Sequence, residues 1–300
     1  MIEENKEKAE IKRYEALNSA QLNKIRELYN NSFDLLKISK LNFDKKLLEN
    51  KYKKIYFLAE IKNDIIGYLI LVNNSIVLLI VDELYRNKGI GSKLLSDGEL
   101  EIKEKYDQIN LVAPDFFLCG CPFDTKSSYY KWFEKRGFIY EWTPLDMIVN
   151  LENFEYKDED YACSLEDVIF KKLDKESDEM ASCCNGANSV EEGWGNYYYD
   201  DDEGIIAVKG NEVIGGALII NSVLFDMSLK DTGSFGVIWV LPEYEKKGIG
   251  IKLYQKGLFA LKNKGCKFCH IYYTYKPLDL WYGKLGAKKY IEYWIGSKKI

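Results

Sequence analysis

Two stretches of the chain share one pattern of apolar and polar positions. Residues 56–73 (YFLAEIKNDIIGYLILVN) and 205–221 (IIAVKGNEVIGGALIIN) each run apolar, polar turn, apolar, and are rich in β-branched side chains. That pattern predicts a β-hairpin. Each is followed by a very apolar strand, 75–81 and 236–240, then by a glycine loop and a helical run, 91–106 and 250–264. A further strand (108–113 and 267–274), a short aromatic helix and a last strand close each half. The first half opens on a strand near 11–17 and a helix at 19–31, with Ser19 placed as its N-cap. The second half follows this order less clearly at its start. Such an order predicts an α+β fold, an α/β mixed sheet with helices on both faces, present twice.

The repetition is a duplicated domain rather than a solenoid. Gly67 matches Gly215, and the closing Lys135-Arg136-Gly137 matches Lys284-Leu285-Gly286. Between hairpin and glycine loop the second copy has gained about eleven residues, and it has lost about ten after the loop. The join is placed after the strand at 145–151, where charge density rises through 152–160. The expected domains are therefore 1–152 and 153–300, each of ordinary size.

The glycine loops carry the chemistry. VDELYRNKGIG runs from Val81 to Gly91 and VLPEYEKKGIG from Val240 to Gly250. Each ends a strand and opens a helix. Glycine lets backbone N–H groups converge on an anion, and the helix adds its unpaired first N–H groups and the positive end of its dipole. The dinucleotide fingerprint fails, because Leu94 and Leu253 stand where its third glycine belongs. The Gly-x-x-x-x-Gly-Lys-Ser/Thr loop is absent too. The segment that remains is Arg86-Asn87-Lys88-Gly89-Ile90-Gly91, followed by Ser92.

At this segment the chain resembles the GNAT family of acetyl-CoA-dependent N-acyltransferases, whose pyrophosphate loop reads Arg/Gln-x-x-Gly-x-Gly/Ala. The order of elements in both halves matches, as do the closing segments Phe133-Glu-Lys-Arg-Gly-Phe138 and Tyr282-Gly-Lys-Leu-Gly-Ala287. The chain looks like a tandem GNAT protein, two acyl-CoA N-acyltransferase domains in one polypeptide. The resemblance implies acetyl-CoA as co-substrate. One pyrophosphate would lie on Val81, Arg86, Asn87, Lys88, Gly89, Ile90, Gly91 and Ser92, a second on Val240, Lys246, Lys247, Gly248, Ile249 and Gly250. It also implies that the pantetheine arm sits between two splayed strands. A backbone N–H there would polarise the thioester carbonyl, and an amine would attack directly.

The same resemblance implies a tyrosine four residues before the closing glycine as proton donor to the departing thiolate. In the second half that residue is Tyr282; in the first it is Phe133, which has no proton to give, with Tyr129 one turn earlier on the same helix face. The loops differ in the opposite sense. Arg86 favours a pyrophosphate, whereas Glu245 at the matching position repels one beside Lys246 and Lys247. On this reading the C-terminal half is catalytic through Tyr282. The N-terminal half binds CoA or serves structure. The acceptor is a small-molecule primary amine, with a protein amine or a non-catalytic CoA-binding scaffold as alternatives.

Charge and cysteine usage narrow the partners. A formal charge of −5 argues against a nucleic-acid binder. No apolar run has the length of a membrane span, and the charged N-terminus does not read as a signal peptide, so a cytoplasmic protein is expected. Asp200, Asp201, Asp202 and Glu203 form an acidic run that would attract a cationic amine or simply face solvent. Asp82 and Glu83 end the first apolar strand without marking a base. Seven cysteines at irregular spacings fit reduced thiols. Cys266-Lys-Phe-Cys269-His270 matches a haem-attachment pattern, but Cys269 and His270 fall inside a strand pattern and read as core. Cys183-Cys184 and Cys119-x-Cys121 lack the histidines of a zinc set, and no metal is expected.

Overall fold

A computed structural model of the chain describes residues 8–48, 52–111, 118, 120–123, 129–156, 162–199 and 202–300. The first half holds β1 (Glu10–Tyr14), α1 (Ser19–Ser32), α2 (Lys40–Leu48), β2 (Lys54–Ile61), β3 (Asp64–Val72) and β4 (Ser75–Val81). It continues with α3 (Ile90–Ile102), β5 (Gln108–Asn110), β6 (Cys121–Phe123), α4 (Tyr129–Glu134), β7 (Ile139–Trp142) and β8 (Leu145–Asn150). The second half repeats the order. It holds β9 (Val168–Lys172), α5 (Asp178–Val190), β10 (Glu203–Lys209), β11 (Glu212–Ile220), β12 (Thr232–Val240), α6 (Ile249–Asn263), β13 (Phe268–Thr274), α7 (Leu278–Gly283) and β14 (Lys288–Lys299). Helix α1 is capped by Asn18 in a reciprocal capping box with Gln21, so the expected cap moves back one residue from Ser19.

The chain packs as two compact units that do not follow the order of the sequence. One comprises Met1–Pro144, Leu224–Leu229 and Ile291–Ile300; the other comprises Leu145–Val223 and Lys230–Tyr290. In the first unit the sheet runs β1-β2-β3-β4-β5-β14, with β1 to β4 antiparallel. Strand β14 pairs with β5 through Ser297↔Asn110 and Lys299↔Gln108, and also carries β6 and β7. In the second unit the sheet runs β8-β13-β12-β11-β10-β9, with β8 paired to β13 from Phe268↔Asn150 to Thr274↔Leu145. Each sheet thus takes a strand from the other half of the sequence. We propose that the duplicated sequence blocks meet at 152/153, but those blocks are not the packed units.

Helices cover both faces of the first sheet. In a strand, successive side chains point to opposite faces. Leu69 and Leu71 of β3 meet Gly98 of α3, while Tyr68, which precedes Leu69 and so points to the other face, is buried beside Tyr29 of α1. Helices α1 and α3 therefore lie on opposite sides of β3. The second unit has one core around Leu253, Leu258 and Leu261 of α6 and another around Cys183, Ala187 and Trp239.

Candidate functional site

In both units the strand before the glycine loop parts from its parallel neighbour. Strand β4 pairs with β5 only at Ser75↔Asn110. Strand β12 pairs with β13 from Thr232↔Phe268 to Ser234↔His270. Beyond those points the described residues of the two strands share no ladder. Both β4 and β12 are bulged near the split. In β12 the bulge places Val237 at φ 45, a strained conformation for a β-branched residue. Tyr198 holds it by donating to the Val237 carbonyl at 3.1 Å, and Trp239 Nε1 donates to the Tyr198 oxygen at 2.9 Å.

The two glycine loops have one backbone. Asn87 and Lys246 both take left-handed φ (62 and 59), and so do Gly89 and Gly248 (84 and 88), each the N-cap of the helix that follows. The second glycine of each loop lies against a tryptophan of the closing helix. A Cβ on Gly91 would stand 3.3 Å from Trp132, and one on Gly250 would stand 3.5 Å from Trp281.

Their surroundings differ. Among the described residues nothing lies within 4 Å of where a Cβ on Gly89 would be. Gly248 is covered: the Ala162 carbonyl oxygen stands 2.4 Å from its Cβ position, and Ser164 N–H donates to the Lys247 carbonyl at 2.9 Å. Around the first loop two guanidinium groups are held in place. Arg86 donates to the Val81 carbonyl at 3.0 Å and to the Tyr129 hydroxyl oxygen at 3.3 Å. Arg136 stacks on Trp132 at 3.6 Å and donates to Ser92 Oγ at 2.7 Å. Glu245 and Leu285 occupy the matching positions of the second half. Lys88 turns back to the Leu84 carbonyl and the Tyr85 ring.

A cavity of about 410 Å³ opens beside the first loop. Its lining includes Arg86, Asn87 and Gly91 at the loop, Ile76 to Val81 along β4, Leu111 beyond β5, and Ser32 and Phe33 at the end of α1. It therefore reaches from the α3 face to the α1 face through the β4–β5 gap. Tyr129, Trp132 and Phe133 of α4 and Cys121 of β6 also line it. Burial pushes the Cys121 thiol up to about 12, so the sulfur stays protonated and is no nucleophile at neutral pH.

Two models of one family match the chain. An acetyltransferase (GNAT) domain model matches residues 53–140, and the acetyltransferase (GNAT) family model matches residues 170–286. The chain belongs to the GNAT acetyltransferase family. It carries two GNAT domains in tandem, which makes it an acetyl-CoA-dependent N-acetyltransferase. The solved structures similar to it agree on the fold. One is a GCN5-related glucosamine N-acetyltransferase region of a fungal multi-domain GH3 β-N-acetylglucosaminidase, with TM-score 0.80 and 19% identity. The match covers 96% of this chain but 38% of the fungal one, so the chain spans well under half of that protein. A tandem GNAT protein from the clavulanic acid biosynthesis pathway gives TM-score 0.73 at 11% identity over 97% of this chain and 98% of that one. A GCN5-related N-acetyltransferase from Sphaerobacter thermophilus gives 0.66 at 14% identity, covering 96% and 95%. No curated protein matches the chain.

The other residues singled out in the sequence fall in several places. Tyr282 is buried in the second unit's core, edge-on to Tyr254 and Trp281, and burial raises its hydroxyl well above the usual tyrosine range. Cys269 is fully buried, and so is His270, whose Nε2 lies 3.3 Å from Asp146 Oδ2. Glu203 is paired with Lys264 at 2.6 Å and Lys172 at 3.4 Å, so its charge is already answered; Asp200, Asp201 and Cys119 lie outside the described residues. Asp82 caps the turn that follows it by accepting from Leu84 N–H. No helix among the described residues is long and apolar enough to cross a membrane. Sequence reasoning missed Arg136 as a site residue. The available signal was that the chain has only four arginines, and that one stands in the first loop and another in the first closing motif.

Proposed function

We propose that the N-terminal unit transfers the acetyl group of acetyl-CoA to the amine of a small molecule, in the cavity beside Arg86–Gly91. The observation that carries this reading is a single cavity touching the open phosphate loop on one face of the sheet and the end of α1 on the other. A co-substrate with an anionic head and an extended arm fits such a passage. Its diphosphate would meet the Gly89–Gly91 N–H groups with Arg86 and Arg136 beside them. The thioester would lie in the β4–β5 gap, where a backbone N–H of the bulged β4 would polarise its carbonyl. A cavity of about 410 Å³ has the size of a small-molecule site, which supports a small acceptor over a protein side chain.

The amine lone pair attacks the carbonyl carbon from the α1 face. The carbon–sulfur bond then breaks, and the amine proton passes to water. Phe133 cannot serve the thiolate. Tyr129 can: it lines the cavity, and Arg86 donates to its oxygen, leaving the hydroxyl hydrogen free to point inward. The C-terminal half, expected to be catalytic through Tyr282, becomes in this reading the supporting half. Covering of Gly248 by Ala162 and the acidic Glu245 support that assignment.

The test is acetyl-CoA turnover, read as free thiol, with phenethylamine, glucosamine and spermidine as acceptors. Turnover that survives Tyr282→Phe and falls in Tyr129→Phe supports the reading. Turnover lost in Tyr282→Phe and kept in Tyr129→Phe overturns it.

A further inference from the structure

The stretch Leu224–Leu229 comes from the second half of the sequence, inside the longer connection between β11 and β12, yet it packs in the first unit. It is the body of the insertion that sets the second copy apart from the first. Phe225 anchors it and is almost fully buried. Several of its polar groups reach one region, the bend between α1 and α2 and the first turn of α2. Asp226 Oδ1 accepts from Ser39 N–H at 2.8 Å. Ser228 Oγ accepts from Lys37 N–H at 2.8 Å and donates to the Asp34 carbonyl at 2.9 Å. Met227 N–H donates to the Lys37 carbonyl at 3.3 Å, and Asn42 Nδ2 donates to the Leu224 carbonyl at 3.3 Å.

The bend is held from α1 as well. Asn30 accepts from Ile38 N–H at 2.8 Å and donates to the Ile38 carbonyl at 3.0 Å. Apart from one short turn at Asp34–Leu36 the segment has no regular ladder of its own. Segments of this kind take their order from such anchors. What they order matters, because the bend leads directly out of Ser32 and Phe33, which wall the α1 end of the cavity.

We propose that Asp226 and Ser228 are positioning residues for the acceptor: a loop of the C-terminal half sets the acceptor wall of the N-terminal site. The proposal rests on the reading of that cavity as the transfer site. It gives the second half a task in the reaction that needs no cofactor of its own. The loop reaches the α1 face and not the glycine loop, so acetyl-CoA binding does not depend on it.

The experiment uses the full chain and three forms: wild type, the double variant Asp226→Ala/Ser228→Ala, and Asp226→Asn, which keeps the acceptor oxygen facing Ser39. Acetyl-CoA affinity is measured by calorimetry, and turnover with phenethylamine, glucosamine and spermidine at saturating acetyl-CoA. In the double variant, which removes three side-chain hydrogen bonds to the bend, the KM of the amine that turns over is expected to rise about tenfold. Acetyl-CoA affinity and kcat stay within about twofold and threefold, and Asp226→Asn behaves as wild type. An unchanged KM overturns the proposal. So does acetyl-CoA affinity falling in step with KM, which marks a general loss of structure, or an Asn variant as poor as the double Ala. Acetyl-CoA binding without transfer to any of the three amines overturns the acceptor-wall assignment, whereas absence of acetyl-CoA binding overturns the reading of the cavity itself.

Discussion

The loops at Arg86–Gly91 and Glu245–Gly250 share a backbone and differ in almost everything around it. Both use a left-handed residue before a left-handed glycine, and both press their last glycine on a tryptophan. The first has no described residue within 4 Å of the Gly89 Cβ position and is flanked by Arg86 and Arg136; the second has Ala162 over Gly248 and glutamate and leucine in place of the arginines. The two copies therefore share the backbone that an anion site needs and differ in the side chains and main-chain atoms that stand beside it. The lesson is that a phosphate loop is identified by its turn but qualified by its neighbours. Convergent N–H groups attract an anion only when nothing else reaches them first.

The exchange of strands offers the largest effect with which to break this comparison. If the halves were independent, a fragment of residues 1–152 would fold. It lacks Ile291–Ile300, whose pairing completes β5, and it lacks Leu224–Leu229. It is expected to show no cooperative thermal transition by circular dichroism, and a cooperative one would show that the exchanged strand is dispensable. Next in size is the proton donor. Tyr129→Phe is expected to lower kcat about 10–100-fold, toward the lower end of what a positioned acid supplies, with Tyr282→Phe within about twofold of wild type. A reversed order would return catalysis to the second half. Smaller again are the guanidinium groups. Arg86→Ala and Arg136→Ala are each expected to weaken acetyl-CoA binding about tenfold in calorimetry, roughly the value of one charge-assisted hydrogen bond. The same measurement on Glu245→Ala should move by less than about twofold, since a covered loop gains nothing from losing a carboxylate.

Much of this was legible in the chain. The hairpins, the glycine loops and the helices behind them are local patterns. Helices expected at 91–106 and 250–264 form at Ile90–Ile102 and Ile249–Asn263. The bias of charge between the loops was visible in Arg86 and Glu245. What could not be read was which sheet a strand joins. Alternation of side chains specifies the face a strand buries, not the partner it pairs with, so β8 and β14 look the same whether kept or exchanged. The cover over Gly248 was equally hidden, because Ala162 acts through its carbonyl and the shorter of the two Ser164 contacts comes from its main-chain N–H. The same holds for the bend at Lys37–Ser39, where Asp226 and Ser228 meet main-chain N–H groups that any residue would carry. Tyr282 shows the opposite difficulty. Its position in the closing motif and its burial among Tyr254 and Trp281 are both real, and a motif does not say whether the loop beside it is open.

Calorimetric titration of acetyl-CoA into Gly91→Glu and Gly250→Glu tests the comparison most directly. Each substitution puts a carboxylate into one loop and leaves the other untouched. The account predicts one site in the wild type, none in Gly91→Glu and one of unchanged affinity in Gly250→Glu. Binding kept in Gly91→Glu and lost in Gly250→Glu would contradict it.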